Sequence, residues 1–304
     1  GRRPPAEAAK RLVARVDAES GGFGRQPKFP NATALEVLLL QAKVDGVGGA
    51  ELLMTLEKMW RGGMYDHLRG GFARYSVDRQ WLVPHFEKML YDNAQLLGLY
   101  AEASLVWPEQ GFLRRVVRET AAYLEADMRG PDGTFYAATD ADSEGVEGKY
   151  FCWTFAQLEQ VLGSREDAEL VAKVYDVDTQ GRGNFEHGMS ILNVIAATPA
   201  ERAAELGTSE EALEARLIYP MVNEAAHCLA DGIVPGPDKL DLAMIFGIGF
   251  PPFRGGLCAH ADARGPGAVV DALNRLASEK GPRFKPAPLL ADLAKQGKTF
   301  FGKE

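Results

Sequence analysis

The 304-residue chain has only three cysteines, Cys152, Cys228 and Cys258. They are odd in number, far apart and form no C-x-x-C pair, which argues against a disulfide framework or a zinc knuckle. A reducing, cytoplasmic setting is the expectation. Long apolar runs are missing as well. None approaches the roughly 20 residues that a spanning helix needs, so no membrane partner is expected. The opening Gly1-Arg2-Arg3-Pro4-Pro5 is basic, but no apolar stretch follows, unlike a secretory leader. Positive charge is scarce: 34 Lys+Arg stand against 42 Asp+Glu, a formal net charge of −8. Without a basic face, nucleic acid is not an expected partner.

What is present is ordinary globular material. The hydrophobic share is 46% and the charged share 25%, near the averages for packed domains. The length suits one large domain or two ordinary ones.

The dominant periodicity is helical. Leu35, Leu38, Leu39 and Ala42 recur at spacings of three and four, as do Leu52, Leu56 and Met59. Pro84 suits a first helical turn, predicting a helix from there to about Ala103. Further helices are expected over Phe112–Met128, Glu210–Leu229, Pro237–Phe246, Gly267–Ser278 and Ala287–Ala294. Thr198-Pro199-Ala200-Glu201 and Thr208 with Glu211 read as capping boxes. The strand signal is Thr134-Phe135-Tyr136-Ala137 and Lys149-Tyr150-Phe151-Cys152-Trp153, flanking an acidic loop. The fold class is therefore all-α with one β-hairpin. Composition changes character near residue 217, from long Gly- and aromatic-rich loops to short helices punctuated by Pro and Gly. This predicts domains 1–217 and 218–304. Helices alternating with long loops in the first part suit an α-hairpin toroid.

The densest chemistry runs from Gly62 to Asn93. It contains Asp66, His67, Arg74, Tyr75, Trp81, His85, Glu87 and Asp92. With Pro84 opening a helix, His85 falls in the first turn, where the dipole disfavours imidazolium and a neutral base is expected. Asp92, seven residues on, shares that helical face, and Glu87 projects elsewhere. Trp81, Tyr75 and Phe72 are suited to stacking on the apolar faces of sugar rings. The same residue types also suit a plain structural role, His85 and Glu87 pinning a buried loop, and they weigh equally for both.

A second candidate is Thr139-Asp140-Ala141-Asp142-Ser143-Glu144-Gly145-Val146-Glu147-Gly148. Counted from Asp140, the twelfth position is Phe151, so the calcium-loop template fails. A solvated turn, or a carboxylate rim for a polyol using Asp140 and Asp142, is the better reading, and no metal is expected. Gly21-Gly22-Phe23-Gly24 and Gly247-Ile248-Gly249-Phe250 do not complete G-x-G-x-x-G after a strand, so no nicotinamide or other cofactor is expected. Cys228 beside His227 on a helix does not face it.

Two resemblances account for these motifs. Residues of about 8–217 resemble the domain that follows the thioredoxin-like domain in the YyaL / spermatogenesis-associated protein 20 family. The carrying runs are Gly21–Gly24 with Pro27–Pro30, Gly62–Asp66, Arg74–Asp78, Trp81–Gln95 and Asp140–Lys149. The resemblance implies a partial (α/α)6 toroid, six-hairpin glycosidase-like, with loops and inner-helix ends lining its mouth. These residues include no thioredoxin-like domain. Ala73 stands where that family usually has His, and His67-Leu68-Arg69 stands where Gln-Leu-Gly is common. Residues of about 215–301 resemble the C-terminal domain of 3-hydroxyacyl-CoA dehydrogenase and of the fatty-acid oxidation α-subunit. This rests on Arg216–Ala225, Asp241–Gly247, Gly249–Gly256 and Phe284–Leu290. Ala215 replaces the Asn of that family's catalytic repeat, which implies a packing module without dehydrogenase activity. The two patterns meet inside one expected helix, as in a chimera.

The leading expectation is thus a carbohydrate-acting or sugar-binding toroid with epimerase- or glycosidase-like acid/base chemistry. His85, Glu87, Asp66 and Asp92 would carry that chemistry, and Arg74, Tyr75, Trp81, His67, Asp140 and Asp142 would contact a sugar or polyol. The alternatives are an accessory module of fatty-acid β-oxidation and an inactive structural protein. The protein partners considered are a second copy of the chain and β-oxidation enzymes.

Overall fold

The computed structural model describes residues 4–248, 250 and 254–302. Helices dominate it, as the sequence implies. The chain folds as two compact units, Gly1–Thr198 and Pro199–Glu304.

In the first unit, α1 (Pro4–Val13), α2 (Ala32–Asp45), α3 (Gly49–Arg61), α4 (Leu90–Val106) and α5 (Gly111–Tyr123) surround one core. The Leu35/Leu38/Leu39 and Leu52/Leu56/Met59 stripes are buried in it, beside Tyr65, Phe72, Leu96 and Tyr100. A π-helical turn, Leu124–Met128, continues α5 as far as the sequence suggested. α6 (Phe155–Leu162) and α7 (Arg165–Tyr175) pair over a smaller core of Phe155, Leu158, Ala168 and Ala172. α6 opens with a capping box between Thr154 and Gln157. These two residues were not among the expected caps.

The strands differ from expectation. Among the described residues, four pairs of two-residue strands replace the single hairpin. They are β1 (Tyr75–Ser76) with β2 (Pro84–His85), β3 (Lys88–Met89) with β4 (Ala138–Thr139), β5 (Asp142–Ser143) with β6 (Val146–Glu147), and β7 (Cys152–Trp153) with β8 (Ser190–Ile191). All are antiparallel. The 134–137 run does not pair with 149–153. Phe135 bridges Arg129 instead, and β7 finds its partner far along the chain.

The expected helix at Pro84 also starts later, at Leu90. Residues 84–89 are extended and alternate buried and partly exposed, with Pro84, Phe86 and Lys88 inward and His85, Glu87 and Met89 outward. That period of two is the signature of a strand.

In the second unit, α8 (Pro199–Glu205) precedes α9 (Glu210–Ala230), α10 (Pro237–Ile248), α11 (Leu257–Arg264), α12 (Pro266–Lys280) and α13 (Pro288–Gln296). Its core holds Val222, Leu257, Cys258, Val269, Leu273, Phe284 and Leu290. The N-cap of α9 is Ser209, which accepts from the Ala212 N–H at 3.1 Å; Thr208 does not fill that role. Asn223 on α9 donates to the Lys285 carbonyl at 2.9 Å and accepts from the Ala287 N–H at 2.7 Å. Asp241 accepts from the N–H groups of Cys258 and Ala259, closing the start of α11. Gly256 at φ 99° lies so close to Asp241 that a Cβ would meet its carboxyl at 2.3 Å, and only glycine fits. The Gly249, Pro251, Pro252 and Phe253 positions of the dehydrogenase-like motif lie outside the described residues.

Candidate functional site

The extended 84–89 segment turns two different chemistries to its two sides. On the outward side, His85 Nδ1 donates to Glu147 Oε1 at 2.8 Å, and Nε2 lies 3.8 Å from Glu87 Oε2. A carboxylate can only accept, so Nδ1 carries the proton. In the neutral ring Nε2 is then the free lone pair. Glu87 also receives Arg74 Nη1 at 3.0 Å. The Arg74 guanidinium is held above its usual range by its bonds to Glu87 and Tyr91. Tyr75, the register partner of His85 across β1–β2, stacks on the imidazole with centroids 5.0 Å apart and 20° between planes. Phe29 lies against Tyr75 at 4.8 Å and is itself exposed.

Asp92 falls in the first turn of α4. Burial pushes its carboxyl up, against the pull of Tyr91 and Arg74. Its Oδ2 is buried without a hydrogen-bond partner among the described residues.

The inward side leads to a cavity of about 220 Å³. Lys88, 3% exposed, reaches into it and bonds Asp66 Oδ2 at 2.8 Å and the Gly70 carbonyl at 2.9 Å. Its ammonium sits 4.3 Å from the Tyr123 ring centre and 5.2 Å from that of Phe151. Burial alone would raise Asp66. The Lys88 cation and the N–H groups of Arg69 and Leu68 overcome it and hold the carboxyl below its usual range. Arg69 forks onto Asp127. Asp140, Asp142, Thr139 and Tyr150 complete the wall.

The expected residues are therefore not brought to one mouth. His85, Glu87, Arg74 and Tyr75 form the outer cluster, whereas Asp66, Asp140 and Asp142 line the cavity, which neither His85 nor Glu87 lines. His85 is on a strand, so the helix-dipole argument for it does not hold. The outward alternation also brings Glu87 to its ring instead of away from it.

Three assignments fail on burial, the first being Phe72, which lies fully buried in the core and cannot stack on a ligand. Trp81 is fully buried, its Nε1 donating to the Ser20 carbonyl at 2.8 Å, so it cannot stack on a ligand. His67 is buried beside Tyr65 and Tyr175, bonded to the Gly62 carbonyl at 3.1 Å. Burial, reinforced by the Arg115 charge, lowers it to about 4.

Glu147 was missed. It sits 62 residues from His85, and the only available signal was its place in the acidic loop. The β5–β6 turn delivers it, and Gly148 behind it packs flat on Phe86. Among the described residues no His/Cys/Asp/Glu group is arranged to hold a metal ion. No described helix is long and apolar enough to cross a membrane.

Comparison with known proteins follows the same division as the motifs. Residues 213–300 match the model of the 3-hydroxyacyl-CoA dehydrogenase, C-terminal domain. The chain is similar to spermatogenesis-associated protein 20 of Rattus norvegicus, 36% identical over 234 residues, which is 68% of this chain and 29% of the relative. The Homo sapiens protein of that name is 38% identical over 185 residues, 54% of this chain and 23% of the relative. The fatty acid oxidation complex subunit alpha of Idiomarina loihiensis is 35% identical over 153 residues, 47% of this chain and 22% of the relative. The chain spans less than a third of the length of each of these relatives. It joins a stretch similar to spermatogenesis-associated protein 20 to one similar to the C-terminal domain of 3-hydroxyacyl-CoA dehydrogenase.

Proposed function

We propose that the first unit is a carbohydrate-acting or sugar-binding module of the α/α-toroid type, with His85 as its acid/base group. The observation that carries this reading is the Glu147–His85–Glu87–Arg74 array on a partly exposed face. Glu147 fixes the tautomer and leaves Nε2 as the lone pair that takes a proton from a hydroxyl or a carbon acid. Glu87 and Arg74 supply a paired acceptor and donor for neighbouring hydroxyls, and Phe29 offers an exposed aromatic edge. Asp92, in the first turn of α4 and within range of the Arg74 and Glu87 charges, is the complementary proton donor. This is the chemistry of an epimerase or a glycosidase, in which a base and an acid act on one sugar ring. The test is the thermal shift of the chain with neutral hexoses and hexitols, compared with His85→Ala. A stabilisation that disappears in the variant supports the reading. No shift with any neutral sugar overturns it.

A second reading concerns the other unit. Its match over 213–300 and its separate core favour a packing module that associates with enzymes of β-oxidation. The buried Ala215 leaves no polar side chain where the catalytic repeat has one. Co-purification with hydratase and thiolase components is the expected result, and no association removes this reading.

A further inference from the structure

The cavity behind the 84–89 segment has a charge balance that its own ion pairs do not close. Two cations line it, and each is already matched: Lys88 by Asp66 and Arg69 by Asp127. Asp140 and Asp142 remain. Among the described residues, Asp140 Oδ1 accepts only the Asp142 backbone N–H, at 3.0 Å, and the Asp142 carboxylate has no partner. The nearest cation in sequence, Lys149, is taken by Glu144. The lining thus carries four carboxylates against two cations, a formal −2. An anionic ligand would have to break a buried pair to find a positive charge, whereas a cation meets two unspent carboxylates. The walls point the same way. Tyr150 and Phe151 present ring surface at the cavity, and the inner rings of Tyr123 and Phe151 already hold one ammonium, that of Lys88. Ring faces beside carboxylates suit a second ammonium. At about 220 Å³ the space falls below the ~300–1,000 Å³ of drug-sized sites.

We infer that this cavity binds a small primary amine, of the size of a diamine or an amino sugar, through Asp140, Asp142 and the Tyr150 ring. Nothing in this inference uses His85, so it stands or falls apart from the sugar reading of the outer cluster. The ligand's ammonium takes the place of solvent between the two carboxylates, and its hydroxyl or second amine reaches Thr139 and Ser143 at the wall.

The experiment is calorimetric titration of the full chain with putrescine, glucosamine and glucose. Both amines are expected to bind and glucose to bind far more weakly. Affinity should fall as salt is raised, because the carboxylates are partly exposed. Asp140→Asn and Asp142→Asn should each weaken amine binding about threefold, and together about tenfold, the range for solvent-accessible charge pairs. Both side chains are exposed, so the double variant should keep the parent melting curve, and His85→Ala should keep amine binding intact. No binding of either amine at millimolar concentration overturns the inference. So does equal binding of glucose, or amine affinity unchanged in the double variant.

Discussion

Replacing Asp17 by Asn tests the network that holds the outer cluster in place. Lys28 is fully buried, with its ammonium 3.0 Å from Asp17 Oδ2, 3.1 Å from the Arg79 carbonyl and 5.2 Å from the Trp81 ring centre. Its backbone bridges Ser76, the neighbour of Tyr75, through bonds of 2.7 and 2.8 Å. Losing the Asp17 charge leaves a buried ammonium facing only neutral groups at contact distance: an amide oxygen, the Arg79 carbonyl and the Trp81 ring. Breaking a buried pair from one side costs about 3–5 kcal/mol. Lys28→Met is the informative control. Asp17 then keeps two Arg79 bonds of 2.6 Å and the N–H groups of Glu19 and Ser20. The expected cost is about 1–2 kcal/mol. The double variant should lie nearer Lys28→Met than Asp17→Asn.

All four tryptophans, Trp60, Trp81, Trp107 and Trp153, belong to the first unit, so urea unfolding followed by their fluorescence reports that unit. The pH dependence gives a second check. The Arg79 bonds, outweighing burial, hold Asp17 well below the usual carboxylate range. A depressed carboxylate stabilises above its unfolded value of about 3.9, and that stabilisation is lost as pH falls further. The gap between parent and Asp17→Asn should therefore be full at neutral pH and shrink below about pH 4. A Lys28→Met variant as damaged as Asp17→Asn, or a gap that does not depend on pH, refutes the reasoning.

Three further outcomes follow from particular contacts. Gly148→Ala should destabilise the first unit and shift the His85 ring resonances, because the new Cβ meets Phe86 at 2.5 Å and displaces the turn carrying Glu147. His67 should titrate near 4 by NMR. Its neutral, buried form therefore costs the fold stability as pH falls from about 6.5 toward that value. Asn223→Ala should cost the second unit about 2–3 kcal/mol through two lost backbone bonds, read as faster hydrogen exchange at Ala287.

The helices were largely legible because their cues are local. Leucine stripes and Pro/Gly punctuation put α9, α12 and α13 within a few residues of their observed ends. The site was less so, because its determinants are distant. A charged residue at an inward position hides a strand's alternation, and Lys88 is such a residue. It points inward because Asp66, 22 residues away, and the Gly70 carbonyl receive it. Pro84 carries the local cue of a helix start, and nothing near it in the chain outweighs that cue. Trp81 and His67 mislead in the opposite sense. Their side-chain types suit a ligand, but the Ser20 and Gly62 carbonyls that satisfy them are set by folding alone. Glu147 reaches His85 through a turn whose placement depends on Gly148 lying flat on Phe86.

The join between the two resemblances is also instructive at the level of packing. The family match begins at residue 213, yet α9 begins at Glu210 and is capped by Ser209. The cap and first turn thus come from outside the matched stretch, and a helix cut at residue 213 would begin without the Ser209 cap and with its new first-turn N–H groups unsatisfied. Glu214, just inside the match, lies between Arg254 and Arg264, with His260 Nε2 at 3.4 Å. Leu213 and Ala215 beside it are buried. A flexible linker would leave such residues solvated. Here the residues on each side of the join belong to one capped helix, and Glu214 beside it centres a charge network, both within the second unit. The compact units accordingly separate at Thr198, well before the sequence changes character. Divergent ancestry along a chain and compactness in space are set by different things. A change in sequence pattern can fall within a helix because helical continuity asks only for helical backbone geometry and a buried stripe, and α9 has both, running on through Pro220 although that residue has no N–H to donate.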